Sequence, residues 1–276
     1  MTTWHGEGQA PADLAPIGPA GWARVVVRGA ALAAVVYLGL ALIFLLRLIE
    51  RPLFGQGRPV TPWVTQGAFR LGLRIMGIGW RVEGKPLSGR GAMVANHASW
   101  LDILTLGACQ RLFFVAKAEV AGWAGIGWPA RAVGTVFIAR DPKQAKAQQR
   151  LFEDRRRAGH RLVFFPEGTS TDGRRALPFK PTLFAAFYSH GLDHVMQIQP
   201  ASAASHAQKG EDASFYGWWG SMAFAPHLLQ VLAARRQGSV VVRLHPPVAV
   251  DAFASRKELA AHCEAAVRAG LAAEIG

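Results

Sequence analysis

The chain is poor in cysteine and in acids. Only Cys109 and Cys263 occur among 276 residues. They stand far apart and lack metal-ligand spacing, so neither a disulfide framework nor a metal site is expected, and a reducing compartment is the default. Asp and Glu total 18 against 31 Lys and Arg, a formal net charge of +13. Such an imbalance points to an anionic partner, either nucleic acid or an anionic membrane surface. A nucleic-acid binder would interleave basic residues with exposed aromatics along a stripe. Here the aromatics lie inside apolar runs, so no nucleic-acid partner is expected. The 51% hydrophobic content favours the membrane. Two further features are missing: internal repeats, and the Gly-x-Ser-x-Gly elbow that would make Ser99 a nucleophile.

What is present begins with one uncharged run. Residues 1–20 are rich in Pro, Gly and Ala and read as a mobile tail. From Gly29 to Leu46 the sequence "GAALAAVVYLGLALIFLL" carries no charge. As a helix it covers about 27 Å, just short of the roughly 30 Å hydrocarbon core. Arg24 and Arg28 precede it, and Arg47 and Arg51 follow. With basic residues on both sides, charge does not set an orientation. The helix can span, or it can dip and leave on the same face. Pro52, Pro59 and Pro62 predict a break after Arg51. The stretch "GAFRLGLRIMGIGW" (67–80) then reads as an interfacial amphipathic helix, with Arg70 and Arg74 on one face. Membrane-anchoring helices are thus expected over 21–80.

Beyond Trp80 the pattern changes. Short apolar runs at 92–96, 111–117, 134–140, 161–168, 195–202 and 239–248 read as strands. Between them, Lys143 to Ala158 predicts a solvated charged helix, and Arg256 to Ala273 an alanine-rich amphipathic one. The alternation predicts one α/β domain over 81–276, with a mostly buried sheet flanked by helices.

Three stretches carry chemistry. In "VANHASWLDIL" (94–104), His97 follows a strand and Asp102 opens the next helix. On a continuous helix five residues would set them about 140° apart, so they meet only if His97 sits in the turn. His97 could then act as a general base oriented by Asp102. Ser99 and Asp102 also fit a capping box, which explains those two residues but not His97. In "GTVFIAR", Arg140 ends an apolar strand, where a guanidinium can clamp a phosphate. In "FFPEGTSTDG" (164–173), Gly168 permits close backbone approach to a ligand, and successive N–H groups can form an anion nest. Glu167 would repel a phosphate, and suits a hydroxyl or Arg140 instead.

Taken together these stretches resemble the lysophosphatidic acid acyltransferase (1-acyl-sn-glycerol-3-phosphate acyltransferase) family. "NHASWLD" matches its first motif. Lys117, Glu119, Pro129, Gly134 and Arg140 match the second, "FPEGTS" the third with Phe179-Lys180 after it, and "IQPAS" with Pro200 the fourth. The resemblance spans about residues 81–202. It implies a glycerolipid-acyltransferase-like mixed sheet, residence at the cytoplasmic face of the inner membrane, and transfer of a fatty acyl group from acyl-CoA or acyl carrier protein to a lysolipid hydroxyl. No cofactor, metal or covalent acyl-enzyme is implied. By the same resemblance His97 is the base and Asp102 its partner. Arg140, Glu167, Gly168, Thr169 and Lys180 hold the acceptor, and Lys117, Arg174 and Arg175 are further contact candidates. One departure stands out: many members have Arg where this chain has Ser170. Arg174, Arg175 or Lys180 can replace that charge, or the acceptor is not a phosphate monoester. Phosphatidic acid synthesis is the first expectation and lyso-ornithine lipid acylation the second. A lipid hydrolase is the third. The segment "FYGWWGSMAFAPHLLQVL" (215–232) resembles the wider bacterial subgroup that acylates such other lysolipids.

Overall fold

A computed structural model describes residues 4–6, 14–89, 91–123, 125–138, 153–155, 157–188 and 196–276. Eight strands form one mixed sheet in the order β1-β7-β6-β2-β5-β3-β4, with β8 on β6. The strands are β1 (Gly79–Glu83), β2 (Gly91–Ala95), β3 (Phe113–Lys117), β4 (Val136–Ile138), β5 (Leu162–Phe164), β6 (Gln197–His206), β7 (Ser239–Leu244) and β8 (Val248–Ala249). From β6 through β4 all neighbours are parallel, whereas β7 runs antiparallel to β6. Every residue of β2 is buried. Along it Met93 and Ala95 enter one apolar core and Ala92 and Val94 the other, as the two-residue period of a strand requires.

Helices α1 (Pro19–Phe54), α2 (Thr61–Met76), α3 (Leu101–Cys109) and α5 (Phe224–Ala233) cover the first core. Helix α6 (Arg256–Ile275) and a 3-10 turn at Pro181–Tyr188 cover the second. The short α4 (Gly127–Ala132) lies near α1.

Several expectations need correction. Helix α1 is twice the length of the uncharged run, and it continues through Pro52 to Phe54. Pro52 sits in its last turn, where the missing N–H and the ring clash disturb little. Trp80 belongs to β1 rather than to an amphipathic helix, because Gly77 ends α2. Strand β1 thus begins directly after the turn at Gly77. The solvated charged helix expected over 143–158 lies largely outside the described residues. The expected mobile N-terminal tail is docked in its described parts. Trp4 packs 6.2 Å from Trp219, the Gln230 amide reaches the Ala15 carbonyl, and Ile17 touches the core.

Helix α1 has two kinds of face. One stripe, including Gly21, Val25, Leu40, Ile43 and Glu50, is buried against the protein. The rest exposes Val26, Val27, Tyr37, Leu38, Phe44, Leu45, Leu48 and Ile49. A run of apolar side chains this long, facing outward, marks a membrane-associating surface. The arginines that flank it are tied to the protein. Arg24 Nε donates to Ala233 O at 2.7 Å. Arg28 Nη1 donates to Leu232 O at 2.8 Å and Ala234 O at 2.7 Å. Both guanidinium groups satisfy the open carbonyls at the end of α5. At the far end, Glu50 accepts from Val60 N at 2.6 Å and Thr61 N at 2.9 Å, which caps the start of α2.

Candidate active site

The site is built where β2 stops. Asn96 is fully buried and continues the β2–β6 ladder with its side chain, donating to Ala203 O at 2.9 Å and accepting from Ala203 N at 2.8 Å. The backbone is thereby released to turn, and His97 leaves the strand in an irregular segment ahead of α3. Its Nδ1 lies 2.8 Å from Asp102 Oδ2. The same oxygen accepts from Ala98 N at 2.7 Å and Ser99 N at 2.9 Å. Ser99 Oγ in turn accepts from Leu101 N at 3.0 Å. Capping and orientation of the imidazole are therefore one arrangement sharing one carboxylate oxygen. An acceptor at Nδ1 assigns the ring proton there and leaves the Nε2 lone pair available for a proton.

Two other segments grip this turn, the loop after β5 and the stretch around Trp218. Glu167 Oε1 accepts from His97 N at 2.6 Å, and Thr171 N donates to His97 O at 2.9 Å. Trp218 N donates to Ala98 O at 2.8 Å. The imidazole stacks on Phe165, with ring centroids 4.0 Å apart at 15°. The aromatic face and the clamped backbone leave the ring little freedom to rotate. The C-terminal ends of β2, β5 and β3 open on this same side, the usual place for a ligand in an open parallel sheet.

The model of the Acyltransferase family matches residues 81–202. The lyso-ornithine lipid O-acyltransferase of Rhodobacter capsulatus is 58% identical over 97% of this chain and 96% of its own length. The chain belongs to the acyltransferase family. A second relative of the same name, from Brucella abortus, is 37% identical over 86% of this chain and 91% of its own. The crystal structure of the 1-acyl-sn-glycerophosphate (LPA) acyltransferase PlsC of Thermotoga maritima superposes with a TM-score of 0.57. It covers 88% of this chain and 96% of that one at 20% identity. That likeness is one of fold. The protein is an acyltransferase that acts on lysolipids.

Within the acyltransferase, the motif residues fall into distinct groups. Glu167 is turned into the protein. It is 1% exposed, and its second oxygen accepts from Leu177 N at 2.7 Å. Both oxygens thus tie down backbone, as a structural clamp on the His97 turn and on Leu177. Burial pushes its carboxyl up to about 8, opposed by the two amides. Gly168 takes φ +73°, in the left-handed region, but its N–H donates to Phe165 O at 3.0 Å, so that amide is used inside the turn rather than in an anion nest. Arg140 lies outside the described residues. Lys117 is exposed at the end of β3, and Thr169 and Lys180 are half-buried in the loop that follows β5. Arg174 is directed away from a role as substitute charge, because its Nη2 donates to Ile275 O at 2.9 Å at the end of α6. Arg175 pairs with Asp172 at 3.1 Å.

Some residues at the site escaped the sequence reading. Asn96 stood at the end of a recognised strand with no pattern to mark it. Phe165 read only as strand. Trp218 and Trp219 lay in the segment noted for its subgroup resemblance, and Gly217 allows that segment to approach. A Cβ there would stand 2.7 Å from Asp172 O and 2.8 Å from the Trp219 ring. Trp4 had no signal in a Pro/Gly/Ala tail. The two cysteines are buried, with thiols pushed up to about 12 by desolvation, and take no part.

Proposed function

We propose that the enzyme is a lyso-ornithine lipid O-acyltransferase. The observation that carries this reading is the 58% identity, over nearly the whole of both chains, to the Rhodobacter protein of that name. The headgroup side of the site agrees with it. Ser170 stands where a phosphate-binding Arg is common, and neither neighbouring arginine substitutes freely. Arg174 is engaged at Ile275, and Arg175 at Asp172. An acceptor without a phosphate monoester needs no such charge.

The chemistry follows from the His97 turn. His97 Nε2 takes the proton of the acceptor hydroxyl as its oxygen attacks the thioester carbonyl carbon. Asp102 holds the tautomer and stabilises the imidazolium. The tetrahedral intermediate collapses, the C–S bond breaks, and the thiolate recovers the proton from the imidazolium. The products are an oxygen ester and a free thiol. The donor is an acyl thioester of CoA or acyl carrier protein, both anionic and both suited to a chain of net charge +13. Neither a metal nor a resident cofactor takes part.

On this reading the enzyme works at the cytoplasmic face of the inner membrane. Helix α1 would extend about 54 Å, longer than a roughly 30 Å hydrocarbon core. Because both of its ends rejoin the globular domain, the α1–α2 pair dips into one leaflet and returns. The deciding assay offers the purified enzyme labelled palmitoyl-CoA and, separately, palmitoyl carrier protein. The acceptors are lyso-ornithine lipid, lysophosphatidic acid, or none. His97-dependent acylation of lyso-ornithine lipid is expected. Turnover of lysophosphatidic acid alone would return the enzyme to phosphatidic acid synthesis, and fatty acid release without an acceptor would make it a hydrolase.

A further inference from the structure

Next to the His97 turn lies a group of hydrogen-bond donors that the protein does not complete. Trp219 is 5% exposed, and its indole N–H has no acceptor among the described residues. The indole N–H of Trp4 is also buried without one. The two rings lie 6.2 Å apart, tilted at 48°. The Arg175 guanidinium stands 5.3 Å from the Trp4 ring and carries its pair with Asp172. Trp4 N reaches Thr169 Oγ1 at 3.5 Å. This group is bonded to the catalytic turn through one loop, since Thr171 holds both the His97 carbonyl and, at 3.2 Å, the Arg175 carbonyl.

An indole N–H can only donate. Leaving one buried and unpaired is destabilising. The Trp80 indole and the Gln110 amide also lack a partner among the described residues, but the indoles of Trp4 and Trp219 lie together and beside the His97 turn. Any partner for either N–H must therefore be an acceptor. Two neutral donors beside an arginine already balanced by Asp172 offer little net positive charge. That suits a singly charged, planar group better than a phosphate dianion.

We propose that Trp219 and Trp4, backed by Arg175, form a binding site for the carboxylate of the acceptor's amino-acid head group. The inference rests on the lyso-ornithine reading and deepens it. The indole donors take the place of the charge that Ser170 does not supply. They make the head group a determinant of KM, while His97 governs kcat.

The test compares lyso-ornithine lipid with its carboxamide, in which the carboxylate is replaced by a neutral amide. Wild type, Trp219→Phe and Trp4→Phe are assayed on both with palmitoyl-CoA, after thermal melts establish that each is folded. Phenylalanine keeps an aromatic ring and removes the donor together with the five-membered ring, and the carboxamide acceptor controls for the lost volume. Wild type is expected to prefer the carboxylate by tenfold or more in KM. Each variant should raise KM for the carboxylate about tenfold, leaving kcat and the carboxamide KM unchanged. If wild type acylates both acceptors with equal KM, or if the variants lose both substrates equally, the carboxylate site is overturned and the lyso-ornithine reading stands. If wild type acylates lysophosphatidic acid and neither amino-acid acceptor, that reading fails and takes the site with it.

Discussion

The turn that carries His97 and the loop beside it from Thr169 to Arg175 are neighbours, yet they are finished differently. Around His97 the protein supplies the partners itself. Asp102 serves the imidazole and two amides, Glu167 serves two more, and Thr171 and Trp218 hold the carbonyls of His97 and Ala98. Beside that turn, the indole N–H groups of Trp219 and Trp4 have no acceptor among the described residues. The first region is organised before substrate arrives, while the second is completed by what binds. Chemistry and acceptor choice are thus separable, and mutations should separate them.

The largest effect should come from the finished region. His97→Ala is expected to lower kcat about 10²–10⁴-fold with little change in KM, read by steady-state acyl transfer. Asp102→Asn should also lower kcat, because an amide can present the wrong partner to Nδ1. A His97→Ala enzyme with normal kcat would break the comparison at its root.

Next in size is the clamp. Glu167→Ala strands the amides of His97 and Leu177, and each buried unpaired donor costs about 1–3 kcal/mol. Urea unfolding should therefore show a loss of about 2–6 kcal/mol, with kcat falling as the His97 turn loosens. Loss of activity at unchanged stability would instead make Glu167 a substrate contact.

How much of this was legible in the sequence depends on where the information is local. The His97–Asp102 pair is local, since a strand, a turn and a helix start within eleven residues force it, and its family motif is dense. The α/β alternation was legible for the same reason. Strand β1 was not, because an arginine-bearing apolar stretch on one side of Gly77 has the same composition as the strand on the other. The true bonding of Glu167 was hidden as well, because its partners His97 and Leu177 lie far from it in sequence or across a turn. Trp4 meets Trp219 from the opposite end of the chain, and no periodicity encodes that contact.

The ends of β5 offer a third contrast, smaller in size and opposite in sign. Glu167 follows the strand, and burial raises its carboxyl to about 8 in the folded state. Its contribution to stability is present below the unfolded value near 4.5 and is lost as pH rises through 8. His160 precedes the strand, stacked 4.0 Å from Phe113. Burial, with Arg155 and Arg58 nearby, lowers its imidazole to about 4. The unfolded chain takes up that proton first, so stability falls as pH drops from 6.5 towards 4. Each limb has a slope of at most about 1.4 kcal/mol per pH unit. Melting temperatures between pH 4 and 9 should peak at intermediate pH. Glu167→Gln should flatten the alkaline limb and His160→Phe the acid limb. A variant that flattened both would show that the two ends of the strand are coupled.

The smallest expected effect is the most pointed about the acceptor. Sequence position alone makes Arg174 an attractive replacement for the arginine missing at Ser170, being four residues on in the same loop. Its guanidinium is instead exposed and bonded to the carbonyl of Ile275 at the end of α6, where a cation also meets the negative end of the helix dipole. Arg174→Ala should therefore cost at most about 1 kcal/mol of stability, as surface contacts of this kind do. KM for the acceptor should stay within about threefold of wild type, since 1.4 kcal/mol of lost binding would be needed for tenfold. Trp219→Phe, which removes no charge, should do more. If Arg174→Ala weakens acceptor binding tenfold while Trp219→Phe leaves it intact, the headgroup is held by charge after all. The contrast between a finished catalytic turn and a ligand-completed donor group would then have to be redrawn around a phosphate.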